Sequence, residues 1–139
     1  MRAQWPQIWA SMASTISQRS ADPQYKVGCV IVPEDNTGVL ALGYNGDHKG
    51  GPNERESEEP GQSGFIHAEI NALIKLDYNN PKKKIMYVTL SPCIMCSKAI
   101  INAGITKVVY IEQYRDISGI ELLKSQGVEV EQCLPLLAT

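Results

Sequence analysis

Near the start of the chain the apolar residues Trp5, Ile8, Trp9, Met12, Ala13 and Ile16 recur at i, i+3, i+4, i+7, the stripe of one amphipathic helix. Pro6 is acceptable in its first turn. Two tryptophans on such a stripe predict core packing rather than a platform for stacked bases. Ser20-Ala21-Asp22-Pro23 breaks the helix. From Lys26 to Val32 the period disappears into a short apolar run with β-branched enrichment, as in a strand buried on both faces. Asp35-Asn36-Thr37-Gly38 supplies turn chemistry, and Val39 to Tyr44 returns as a second strand, predicting a hairpin.

Residues 46–64 carry no period: glycines and prolines punctuate a polar stretch holding Glu54, Arg55, Glu56, Glu58 and Glu59. A loop of that length in a compact domain is either functional or a tolerated surface insertion. Helical spacing resumes at Ile66, with Ile70, Leu73 and Ile74 as the expected core face, and ends by Asp77 to Pro81. Ile85 to Leu90 predicts a strand. Ser91 is the expected N-cap of the next helix, with Pro92 in its first position and Cys93, Cys96, Ile100 and Ala103 on one face. Gly104 stops it. A strand from Lys107 to Ile111, a helix from Ile117 to Gln126 and a strand from Val128 to Val130 complete the pattern. Alternating strands and helices argue for parallel pairing with right-handed crossovers. The expected fold is α/β: one domain over residues 1–139, a five-stranded mixed sheet with helices on both faces.

Composition adds exclusions. At 139 residues, 43% hydrophobic and 20% charged, the chain has the balance of a globular protein large enough to bury a core. No apolar run approaches the ~20 residues that span a bilayer, so no membrane partner is expected. Met1 to Pro6 lacks the apolar core of a signal peptide, which leaves the cytoplasm as the default. A net charge of −2, with Lys82-Lys83-Lys84 as its one basic cluster, argues against duplex DNA or structured RNA. It does not exclude a small anionic nucleotide, which needs one or two well-placed cations.

The chemistry lies in two short stretches, Ile66-His67-Ala68-Glu69 and Ser91-Pro92-Cys93-Ile94-Met95-Cys96. In a cytosolic chain a close Cys-x-x-Cys pair points to metal or redox work rather than a disulfide. Cys93 and Cys96, at i and i+3 of a first turn, face one way, and a helix N-terminus favours the thiolate that binds metal. With His67 they make a nitrogen and sulfur set that zinc accepts, and three protein ligands leave a fourth position for water. Glu69 is spaced away from that set and is placed to handle protons. A closed structural site with Cys29 or Cys133 as fourth ligand, or a redox Cys-x-x-Cys, leaves Glu69 unexplained. Cys29 and Cys133 read as small hydrophobes.

These His-x-Glu and Pro-Cys-x-x-Cys spacings resemble the zinc deaminase signature, and with it the cytidine and deoxycytidylate deaminase family. Three further stretches look like its deoxycytidylate branch: Asp22 to Gly28, Gly43-Tyr44-Asn45-Gly46, and Tyr114 to Leu123. The resemblance covers nearly the whole chain. It implies a three-layer α/β/α cytidine deaminase-like fold, one catalytic Zn2+ on His67, Cys93 and Cys96, and hydrolysis of deoxycytidine monophosphate (dCMP) to dUMP and ammonia, supplying thymidylate synthesis. Glu69 is then the proton carrier, the Ala68 backbone N–H contacts the base carbonyl, the Ser91 backbone carbonyl receives the amine, and Asn45 bonds a sugar hydroxyl. For the phosphate, Arg115 has the fork and lies at the carboxyl edge of the sheet. Tyr114 is placed to cover sugar or base, and Lys26 is a second cation.

The segment Asp47-His48-Lys49-Gly50-Gly51 departs from the family pattern, which often has a proline-containing turn and ligands for a second zinc here. His48 alone makes a poor second site. Members are commonly hexamers activated by deoxycytidine triphosphate and inhibited by thymidine triphosphate, with Mg2+ on the effector phosphates. The resemblance therefore implies a homo-oligomer, hexamer or dimer, with that regulation in modified form. Alternatives sharing the metal residues are a tRNA adenosine deaminase, disfavoured by the acidic balance, and a deaminase of deoxycytidine triphosphate or another cytosine nucleotide. A non-catalytic zinc-binding interaction module is a further alternative, in which Glu69 would have no task.

Overall fold

The computed structural model describes residues 1–136. Its elements run α1 (Trp5–Ser17), β1 (Gly28–Pro33), β2 (Ala41–Tyr44), α2 (Ala68–Ile74), β3 (Lys84–Leu90), α3 (Ile94–Asn102), β4 (Ile105–Glu112), α4 (Ser118–Ser125) and β5 (Glu129–Gln132). The strands form one sheet in the order β2-β1-β3-β4-β5. β1 is antiparallel to both neighbours, while β3, β4 and β5 are mutually parallel. This is the mixed five-stranded sheet that the sequence predicts, and no helix among the described residues is long and apolar enough to cross a membrane.

The sheet separates two cores. On one face α1 packs Trp9 and Ala13 against Val30, Val32, Tyr87 and Val109. On the other, Ala68 and Ala72 of α2, Ile100 of α3 and Leu123 of α4 meet Cys29, Ile31, Met86, Val88 and Val108. All six residues of β1 are buried, because both of its faces carry helices. β5 forms an edge, exposed at three of its four positions, and its Glu129 and Glu131 both reach Lys107 Nζ, at 3.0 and 3.1 Å. Charge on an edge strand of this kind discourages pairing with another chain.

Two expectations about apolar faces are corrected. Trp9 is buried, but Trp5 is half exposed and stacks on it at 5.1 Å. In α2 the buried residues are Ala68, Glu69 and Ala72, with Leu73 partly buried beside them, while Ile74 is 70% exposed. The cause is Gly43 on β2. A Cβ there would stand 2.6 Å from the Ala68 carbonyl oxygen and 2.6 Å from the Ala72 nitrogen. The helix therefore lies backbone-on-strand, and its small residues rather than its bulky ones occupy the contact.

Gly28 plays the same part for α1, since a Cβ there would fall 2.0 Å from the Ala13 carbonyl oxygen. That neighbour is backbone, so the helix must move to admit a methyl. Gly28→Ala is expected to destabilise the fold by about 1–3 kcal/mol. Urea unfolding should show a lower midpoint at unchanged slope, and an unchanged midpoint would contradict the close contact.

Candidate active site

The two functional stretches meet because β2 and β3, both antiparallel to β1 between them, run the same way, and the chain passes from β2 through the long loop into α2 and from β3 into α3 at the same edge of the sheet. His67 is the N-cap of α2, not a residue of its first turn, with extended backbone at φ −67 and ψ 152. Cys93, not Ser91, is the N-cap of α3. Its sulfur accepts the backbone N–H of Cys96 at 3.5 Å, the bond that a serine or aspartate oxygen makes at other helix starts. Ser91 is released for other work: its hydroxyl accepts the Tyr114 backbone N–H at 2.7 Å and fastens the loop after β4 to the end of β3.

His67 Nδ1 lies 3.2 Å from Cys96 Sγ and 3.6 Å from Cys93 Sγ, and the three ligand atoms fall within 4.8 Å of one another. A tetrahedral zinc with ordinary Zn–N and Zn–S bonds sets its nitrogen and sulfur ligands about 3.5 Å apart. The donor set and its spacing therefore fit Zn2+. The charges fit too. The Cys96 thiol and backbone N–H, together with His67, donate to Cys93 and bring its thiol down to about 4 against the opposing effect of burial. Cys96 is pushed up, chiefly by its bond to Cys93 and by burial. His67 is raised, first by the Cys93 hydrogen bond.

Glu69, in the first turn of α2, is 4% exposed and stands outside the three-ligand group. Burial raises its pKa, opposed by local hydrogen bonding and His67. It borders a cavity of about 260 Å³ together with His67, Cys93, Ala68, Ser91 and Asn45. Asn45 is buried, and its amide is already engaged: Oδ1 accepts the Val27 N–H at 2.9 Å and Nδ2 donates to the Tyr25 carbonyl at 2.7 Å. It thereby ties the end of β2 to the segment entering β1.

Tyr114 also lines the cavity, but Arg115 and Lys26 do not. Arg115 is exposed, its guanidinium 5.3 Å from the Tyr114 ring centroid and 3.2 Å from that residue's hydroxyl. Lys26 Nζ is occupied by the Ser20 carbonyl at 2.7 Å. The cation in the cavity wall is one that the sequence does not single out, Arg55, paired with Asp22. Arg55 does not stand out because it sits in a stretch without period, where only the folded loop brings it to the cavity.

A family model, the cytidine and deoxycytidylate deaminase zinc-binding region, matches residues 3–112. The chain belongs to the cytidine and deoxycytidylate deaminase family. It is 35% identical over 122 residues to the deoxycytidylate deaminase of Homo sapiens, covering 81% of this chain and 68% of that protein. Among solved structures it is similar to the dCMP deaminase of cyanophage S-TIM5. The apo form gives a TM-score of 0.78 at 32% identity, over 96% of this chain and 100% of that one. The complex with dCMP and dUMP gives 0.79 at 36%, over 90% and 93%.

For this deaminase, the separation between the two cysteines gives a test on metal-free protein. Cys93 holds a lowered pKa and is half-buried, whereas Cys96 is raised and buried. The thiolate form of Cys93 is already complete at pH 6, so its rate with iodoacetamide should be flat from pH 6 to 8. An ordinary cysteine would gain about tenfold per pH unit there. Peptide mapping should find Cys93 labelled before Cys96, and zinc should block both. A Cys93 rate that climbs with pH would contradict the assignment.

Proposed function

We propose that this deaminase hydrolyses dCMP to dUMP and ammonia. The observation that most supports this is the His67, Cys93 and Cys96 triangle beside a buried, protonatable Glu69, on the wall of a cavity of about 260 Å³. The similarity to a dCMP deaminase crystallised with dCMP and dUMP narrows the substrate.

Zinc on three protein ligands supplies a Lewis acid and ionises a water near neutral pH. Glu69 carries the protons. Its burial makes it hold a proton more tightly than an exposed carboxylate, so it can both accept one and return it within a turnover. Deamination at C4 needs a proton delivered to ring N3 and another to the departing amine, both of which fall to Glu69. Ala68 is the first residue of α2, so its backbone N–H has no partner within the helix and is available to the base carbonyl. The Ser91 carbonyl, at the end of β3, receives the amine. Asn45 retains one N–H and one lone pair beyond its two backbone bonds, enough for a sugar hydroxyl. Tyr114 borders the same space, and the loop between β2 and α2 supplies its outer wall.

The proposal extends to a homo-oligomer in the cytoplasm whose rate responds to deoxycytidine and thymidine triphosphates with Mg2+. A substrate curve that is hyperbolic, and indifferent to both triphosphates, would sink the regulatory part of that extension alone.

Ammonia release from dCMP, CMP, deoxycytidine triphosphate and deoxycytidine, side by side at fixed enzyme, tests the main reading. dCMP is expected to lead in kcat/KM, and a lead by another substrate would overturn the assignment. Glu69→Gln should keep stoichiometric zinc by metal analysis while kcat falls by about 10²–10⁴. Cys96→Ser should instead lose the metal and, with it, turnover.

A further inference from the structure

The loop between β2 and α2 is mostly exposed, but at Arg55 it is pinned to the cavity. Arg55, within it, is almost wholly enclosed, its side chain 4% exposed. Its Nη1 donates to Asp22 Oδ2 at 2.7 Å, its Nε to the Ser57 carbonyl at 3.0 Å and its Nη2 to the Glu59 carbonyl at 3.3 Å. Asp22 is 3% exposed and is held in turn by the Gln24 N–H, which donates to its Oδ1 at 2.8 Å. Gln24 also donates from its side chain to Glu58, and the Glu56 N–H bonds the Ser63 carbonyl at 2.8 Å.

We propose that Arg55 reads the phosphate of the substrate and so sets the preference for nucleotide over nucleoside. This rests on the dCMP reading above and deepens it. Three observations carry it. Arg55 is the one lysine or arginine among the residues lining the cavity, whose wall also holds the carboxylates Asp22 and Glu69. A dianion entering such a space needs a cation to meet it, and the other candidates, Arg115 and Lys26, lie outside the lining.

The second observation is the donor count. A guanidinium has five N–H donors, and three are engaged. One N–H on each terminal nitrogen has no protein acceptor among the described residues, which leaves a two-pronged donor for phosphate oxygens. The third is pre-organisation. Asp22 and two carbonyls fix the fork before substrate arrives, so little side-chain entropy is lost on binding. Asp22 also balances the buried positive charge while the cavity is free. A salt bridge that served only to tie down the loop would have no need to face the cavity with both partners, as this one does.

The test is the ratio of kcat/KM on dCMP to kcat/KM on deoxycytidine, measured on the zinc-loaded enzyme. Arg55→Gln should lower that ratio by about 10- to 100-fold, mainly through KM for dCMP. Arg55→Lys should fall between the two, keeping charge but losing the fork. A ratio within about twofold of wild type, whatever the absolute rates, would overturn the proposal, because a loop clamp harms both substrates alike. Should Arg55→Gln fail to fold, the double variant Asp22→Asn/Arg55→Gln leaves no buried charge unpaired and is judged by the same ratio. A wild-type enzyme inactive on dCMP would overturn both this proposal and the function it rests on. A wild-type preference for dCMP that persists without Arg55 overturns this one alone.

Discussion

The site depends on how closely α2 can approach the sheet. His67 caps that helix and Glu69 lies in its first turn, and their position is set by a strand that offers no side chain at Gly43. Any Cβ there would displace the Ala68 and Ala72 backbone, and with it the histidine, relative to the cysteines on the neighbouring helix. Metal geometry tolerates displacements of a few tenths of an ångström, so the packing of small residues on a glycine does as much for the site as the ligands themselves. Asn45, bonding the backbone on either side of Lys26, locks the end of the same strand to the segment that enters β1.

A second economy appears at Cys93. The sulfur that would bind metal is also the acceptor that starts α3, so the helix end and the metal half-site are one piece of structure. The serine that stands two residues ahead of it is then free to bond Tyr114, drawing the loop after β4 over the same cavity.

Much of this is legible in the sequence. β1 and β3 are β-branched runs whose burial leaves few alternatives, and α1 and α3 follow a plain helical period. The spacing of His67, Glu69, Cys93 and Cys96 is specific enough to imply a zinc chemistry by itself. What escapes has physical causes. Bulk marks Ile70 and Ile74 as the core face of α2, but a glycine across the interface selects alanines instead. Serine is the commoner cap, which points to Ser91 for α3, yet a cysteine sulfur two residues on does the same task. Arg115 and Lys26 are noticed because they sit beside recognisable elements. Arg55 lies in a stretch whose shape is set only by long-range contacts, to Asp22 33 residues away, and no periodicity encodes those.

That stretch is closed at its base. Gly46 and Ile66 exchange backbone hydrogen bonds at 3.1 and 2.9 Å, so the chain leaves the scaffold and rejoins it at nearly the same point. Everything between hangs from that closure, with Asp22 and Gln24 as further ties to the scaffold. The strands, the helix starts and the metal residues all lie outside it. The fold thus keeps the metal-ligand group on the scaffold and carries Arg55 on the closed segment beside it.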